Sequence, residues 1–219
     1  MCTVNLLTIK LYHILHIDRL PSIFELGEDA MLMCDSCVKC NNFPGTEIGM
    51  AKIKERRMKE LTLSCYPDLH VGDCVPFYFC PRSIMLYMIY RGNNSALTYR
   101  GGQEPIIHLE FKLMDVVEWA KDNRKKWVFT DSNAGSRYFS DYCDLLALDK
   151  LDWDAINSLN WSNCKDTKQA EFLIEESIPW FLVNQIGVYS NDCRKAVEEM
   201  MGQYSMHKPM VTVERSWYY

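Results

Sequence analysis

The triplet Gln169-Ala170-Glu171, within the run Lys168 to Glu176, concentrates more chemistry than any other stretch of this sequence. Phe172, Leu173 and Ile174 follow it and read as an extended segment. Residues two apart on a strand share a face, so Gln169 and Glu171 would point the same way. An amide beside a carboxylate on a rigid strand can grip a ribose and stabilise positive charge that develops next to it. A polar strand edge has the same composition, so the triplet needs partners elsewhere in the chain.

Candidate partners are spread along the sequence. His13 ends an alternating stretch and faces either an adjacent cleft or the core, as a hydrogen-bonded histidine. Arg57 closes the run Lys54-Glu55-Arg56-Arg57, which reads either as a solvated helix face or as the source of a guanidinium that meets a phosphate or ribose. Between Thr130 and Asp166, Arg137, Tyr138, Phe139, Tyr142, Trp153 and Trp161 lie among Asn, Asp and Ser. That interleaving suits stacking on single-stranded bases, and equally a loop packed by its own side chains. Cys34-x-x-Cys37-x-x-Cys40, with Cys65 or Cys74 as a fourth ligand, has some look of a zinc set. Closed zinc sites usually take two separated pairs and no second pair follows, so free thiols and no metal are expected.

The elements that must position these residues can be sketched from periodicity. Leu11 to Asp18 alternates like a strand, and Asp18 is a helix N-cap candidate with Pro21 in the first turn and Gly27 as the stop. Cys34 to Gly45 is loop-like, and helical spacing returns from Ile48 to Leu61. Val75 to Phe79 reads as a strand that buries Val75, Phe77 and Phe79 and sends Tyr78 to the other face; Pro76 marks an edge or a strand start. Ser83 to Tyr90 is a buried helix, Ile106 to Phe111 and Trp127 to Phe129 are strands, and Asp152 caps a short helix through Ile156. A strand Gln185 to Tyr189, a helix Asn191 to Met201 and a strand Met210 to Arg215 complete the pattern. Strands and helices without regular alternation predict an α+β fold.

Composition narrows the field. The 219 residues are 48% hydrophobic, with no linker or repeat, so residues 1–219 read as a single domain. The net charge of −5 argues against broad wrapping of duplex DNA but leaves room for a local basic groove. No apolar run approaches a membrane span, and Lys10 and His13 interrupt the apolar start, so a soluble cytoplasmic chain is expected. Neither common Gly-rich phosphate loop is present.

Taken in order, Tyr12-His13-Ile14-x-His16-Ile17-Asp18, Glu55-Arg56-Arg57, Val75 to Ser83, Gly101-Gly102-Gln103-Glu104-Pro105-Ile106, Phe129-Thr130-Asp131, Leu151-Asp152-Trp153, Gln169-Ala170-Glu171 and Trp217-Tyr218-Tyr219 resemble the DarT family. These are bacterial toxins that ADP-ribosylate thymidine in single-stranded DNA. The resemblance implies an ADP-ribosyltransferase fold, two small β-sheets forming an NAD cleft with helices around it. It implies NAD as co-substrate, with Glu171 and Arg57 catalytic and His13, Ile14, Leu15, Ser22, Arg57 and Tyr78 at the cofactor. It further implies that the segment Thr130 to Glu171 holds DNA, for which Arg137, Tyr138 and Phe139 are the expected contacts, and that a cognate macrodomain antitoxin (DarG-like) is a partner. Leu15 stands where the family often has threonine, and Ser22 where it has glycine. Glu171 is expected as a partly exposed cleft carboxylate. Guanine-directed transfer to DNA and mono-ADP-ribosylation of protein are the alternatives.

Overall fold

The computed structural model describes residues 5–204 and 207–219. Among them, ten strands and seven α-helices form: β1 Lys10–His16, α1 Leu20–Phe24, β2 Met31–Met33, α2 Asp35–Cys40, α3 Ala51–Lys59, β3 Cys74–Tyr78, α4 Ile84–Arg91, β4 Ile106–Lys112, α5 Leu113–Asp122, β5 Trp127–Thr130, β6 Asp141–Tyr142, α6 Trp153–Asn157, β7 Glu171–Glu175, β8 Ser177–Pro179, β9 Gln185–Val188, α7 Asn191–Gly202 and β10 Met210–Val213. Eight strands make one sheet in the order β10-β9-β4-β1-β3-β7-β5-β6, and β2 pairs β8 separately. Alternation and burial agree at Val75, Phe77 and Phe79, which are buried; β1, read as alternating, instead buries adjacent pairs, Leu11 with Tyr12 and Ile14 with Leu15, and all but the last residue of β4 are buried. Phe77, Phe111 and Phe172 meet edge to face at 5.1 and 6.3 Å, and this ring column anchors the main core.

The large sheet is one by hydrogen bonding and two by construction. β1 and β4 pair along seven positions, and β3 and β7 along five, yet β1 and β3 share only Tyr12↔Tyr78. The seam stops there for a chemical reason. Ile17 N donates to Pro105 O and Leu113 N to Ile9 O, so odd-numbered residues of β1 turn their peptide groups toward β4 and even-numbered ones toward β3. Glu176 N donates to Asp73 O, so the even-numbered residues of β3 face β1. The pair after Tyr12↔Tyr78 would be Ile14 opposite Pro76, and proline has no N–H to give the Ile14 carbonyl. Pro76 thus lies in the middle of the strand order but on an internal edge. The two sheet halves part beyond it and leave a cleft.

Several local expectations are corrected. Asp18 is not an N-cap: Arg19 holds that position, and the Asp18 carboxylate accepts instead from Thr46 N (2.9 Å) and Thr46 Oγ1 (2.6 Å). The Cys-rich loop contains helix α2, whose cap is Cys34 Sγ accepting from Cys37 N, a weak acceptor that propensity rules overlook. Gln169 is not on the strand: it ends a 3-10 turn, Thr167–Gln169, and β7 begins at Glu171.

Candidate active site

The seam opens onto a cleft lined by β1, the α1 region, α3, α4, Pro76 and Tyr78 of β3, and the Gln169 to Glu171 corner. Glu171 enters from β7 directly across from Tyr78. It is 2% exposed, a correction to the partly exposed carboxylate expected, because Arg57 of α3 covers it. Arg57 Nη2 donates to Oε2 at 2.9 Å and Nη1 to Oε1 at 3.3 Å. Ala134 N adds a third bond to Oε1 at 3.0 Å. A carboxylate offers about four lone-pair positions. Three are taken, and the one left, on Oε2, can accept from a hydroxyl. Burial alone would lower the Arg57 pKa, but the charge and hydrogen bonds of Glu171 outweigh it and hold the guanidinium above its ordinary range. It is a fixed cation.

Backbone and loop lock this arrangement. Glu171 N donates to Thr130 Oγ1 (3.1 Å), and that hydroxyl donates to Ser132 O (2.7 Å). Asn133 Nδ2 donates to Gln169 Oε1 at 3.0 Å, so both ends of the Gln-x-Glu triplet are held by one turn, although they do not share a strand. Arg56, the neighbour of Arg57, donates to Gly135 O and ties the same turn to α3. The solvated-face reading of α3 fits Lys52, Glu55 and Lys59, of which the last two pair in water at 2.8 Å.

On the opposite wall, His13 Nδ1 lies 2.8 Å from Pro76 O. A carbonyl can only accept, so Nδ1 carries the proton. Burial drives the imidazole pKa down to about 4, leaving a neutral ring with Nε2 as an acceptor. Ile14 offers its unpartnered carbonyl at the seam, and with Leu15 supplies apolar wall. Ser22 lines the cleft with its hydroxyl committed to Arg19 O at 2.8 Å. The Tyr78 phenol is pushed up by burial and then by the Glu171 charge, so it stays a neutral donor. This set of apolar wall, convergent acceptors and a fixed ion pair can hold a carboxamide and a ribose, and can stabilise a cation at the ribose carbon.

Two further cleft residues escaped the sequence reading. Lys54 is neutralised by Asp35 at 2.6 Å and Arg57 by Glu171, whereas Arg19 has no such carboxylate among the described residues and is the cation free to meet a phosphate. Asn133 reaches the cleft floor from the turn after β5. Neither carries a motif, since each becomes legible only when distant elements meet. Of the three residues assigned to DNA, Arg137 is exposed and Tyr138 is 88% exposed. Phe139 instead packs on a second apolar cluster around Leu61, Leu63 and Val71, so much of its ring is engaged. Among the described residues no group of three or more His, Cys, Asp or Glu side chains is placed to hold a metal, and the nine of the chain's ten cysteines that lie there are free.

The family model described as "ssDNA thymidine ADP-ribosyltransferase, DarT" matches residues 12–219. A DNA ADP-ribosyl transferase of Thermus aquaticus is 36% identical over 212 residues, covering 95% of this chain and 88% of the relative. Thermus sp. 2.9 DarT in complex with ADP-ribosylated ssDNA superposes with a TM-score of 0.83 at 35% identity, with 96% of each chain covered. The same protein in complex with NAD+ gives 0.78 at 32% identity, over 96% of this chain and 98% of the other.

Proposed function

Because this chain belongs to the DarT family, enzymes that transfer ADP-ribose from NAD to thymidine in single-stranded DNA, we propose that Glu171 and Arg57 carry that transfer at the floor of the seam cleft. NAD is the co-substrate. The observation that supports the assignment is the bidentate ion pair, buried where the two sheet halves part.

The bond from C1′ of the nicotinamide ribose to the ring nitrogen breaks, and its electron pair leaves with nicotinamide. Glu171 faces the cationic ribose carbon that results and takes the 2′-hydroxyl on its open Oε2 position. A thymine ring nitrogen then supplies the pair that forms the new bond, and the proton it carried is released. Arg57 is no proton acceptor, since Glu171 raises its pKa further; it fixes the carboxylate and stabilises the deprotonated base electrostatically. His13, Ile14, Leu15, Ser22 and Tyr78 form the nicotinamide–ribose wall, and Arg19 takes the phosphates.

The loop after β5 presents Arg137 and Tyr138 to the DNA, with Phe139 as a smaller contributor. Residues 1–219 act as one domain that reads the sequence around the target. The chain works in the cytoplasm as the toxin partner of a DarG-like macrodomain antitoxin; among the described residues no helix is long and apolar enough to cross a membrane. The test is incubation with NAD and short oligonucleotides varied by base, read by mass. One ADP-ribose on thymine of single strands, and almost none on duplex, is expected, since extruding a paired base costs a few kcal/mol. Label on guanine or on protein would overturn the assignment.

A further inference from the structure

Glu171 opens β7, Tyr78 closes β3 directly opposite it, and Thr130 closes β5 on the other side. Both continuations leave the sheet at the end where the carboxylate sits. Past β5 comes the loop of Arg137 and Tyr138. Past β3, four residues beyond Tyr78, comes Arg82, which an extended chain holds within about 14 Å of Tyr78. Glu171 is therefore flanked on both sides.

An aromatic cluster with no part in the transfer chemistry surrounds Arg82. Tyr87 meets Trp161 edge-on at 4.9 Å and Tyr219 at 5.0 Å. Tyr90 is 51% exposed and lies nearly parallel to Tyr219, at 22° with centroids 6.2 Å apart. The Arg82 guanidinium sits 4.4 Å over the Tyr219 ring, and the Tyr219 hydroxyl donates back to Arg82 O at 2.9 Å. Arg82 Nε is buried and has no hydrogen-bond partner, and among the described residues no carboxylate lies within ion-pair distance of this arginine. Met85 and Met88 of α4 line the NAD cleft while Tyr87 and Tyr90 lie on the opposite face of that helix, so the cluster is a separate surface. Trp161 joins it to the segment that runs into Gln169 and Glu171.

We propose that this cluster is a second stacking seat for single-stranded DNA, holding a base a few nucleotides from the target thymidine, on the side opposite Tyr138. The proposal rests on the DNA-directed reading above. Rings stack on any base, and the Nη groups of the Arg82 guanidinium, which bond no group among the described residues, supply donors for a phosphate or a base edge. A strand that crosses the end of the sheet from the β5 loop to Arg82 passes Glu171 midway, which positions one base for reaction and pins a neighbour on each flank.

The test uses oligonucleotides with one target thymidine and a single abasic residue moved along each flank. In the wild type, one abasic position on one flank raises the KM for oligonucleotide about five- to a hundredfold. Tyr90→Ala raises the KM for the intact oligonucleotide by a similar factor, the abasic residue then adds nothing more, and the KM for NAD does not move. Tyr90→Phe, which keeps the ring, behaves as wild type. Tyr90 is half-exposed, so its loss leaves the fold in place. An unchanged oligonucleotide KM in Tyr90→Ala, with or without a change in self-association by sedimentation, overturns the proposal, as does multiplication of the two losses. Failure of the wild type to modify any oligonucleotide would remove the DNA-directed reading itself, a different outcome.

Discussion

Arg57 and Glu171, 114 residues apart in the chain, close on each other as a two-pronged pair, with Nη2 2.9 Å from Oε2. Removing one partner therefore has two separable effects. Glu171→Gln keeps the shape and lowers transfer at least about a hundredfold, the scale of a lost electrostatic stabiliser. Glu171→Ala also strands the Arg57 cation, and thermal melts should show a loss at the low end of about 3–5 kcal/mol, because the guanidinium still touches water in the cleft. An Ala variant that melts with the wild type would show that the pair is not desolvated.

Arg57→Lys keeps the charge and loses the fork, so it should recover little of the hundredfold or larger loss of Arg57→Ala. Single-turnover rates at saturating NAD and DNA separate this from a binding defect. Full activity in the lysine variant would mean that a point charge suffices and that the geometry of the fork is irrelevant.

Tyr138 and Phe139 adjoin in sequence and should part in behaviour. Tyr138→Ala should weaken oligonucleotide modification by about 1–3 kcal/mol with an unchanged melting temperature. Phe139→Ala removes packing from the Leu61–Val71 cluster and should lose about 1–3 kcal/mol of stability, with DNA modification and NAD cleavage falling together. Paired melts and rates on the two variants decide it.

His108 makes stability depend on pH. Its ring is fully buried between Trp217 and Tyr218, Nε2 is spent on Pro81 O at 3.0 Å, and burial lowers its pKa from 6.5 to about 4. Between those values the unfolded chain binds the extra proton, so this contribution is complete above 6.5 and falls by about 1.4 kcal/mol per pH unit toward 4. Urea melts across that window should show a slope one proton steeper for the wild type than for His108→Gln. Equal slopes would mean that the ring can ionise in place.

Pro76→Ala restores an N–H aimed at the Ile14 carbonyl. The ladder between β1 and β3 should extend by one pair, and the KM for NAD should rise several-fold with stability unchanged or higher. A variant with wild-type NAD kinetics would show that the Ile14 carbonyl takes no part in binding.

Strands of the large sheet were legible because Val75–Phe79 and Ile106–Phe111 bury alternate or continuous apolar residues, a signal that survives without tertiary knowledge. Asp152 was legible as a cap because its carboxylate bonds an N–H three residues on. Asp18 misled for the complementary reason: Thr46, 28 residues away, competes for the same oxygens. Gln169 misled because its amide is fixed by Asn133 rather than by strand geometry. Arg19, Asn133 and the Ala134 N–H became visible only once the chain had closed on itself, since their roles lie in which groups they face and not in their types.

The single pair Tyr12↔Tyr78 also sets how the cleft can breathe. Two broad ladders joined by one registered pair behave as stiff plates on a narrow hinge, so opening costs far less along that line than anywhere else in the sheet. Among the ladder-bonded amides of the inner strands, those of Tyr12 and Tyr78 should exchange fastest in deuterium, and a dinucleotide bridging His13 on one plate and Glu171 on the other would slow them more than its direct contacts account for. Substrate would then act as the missing rungs of the ladder, making the protein most rigid when it is poised to react.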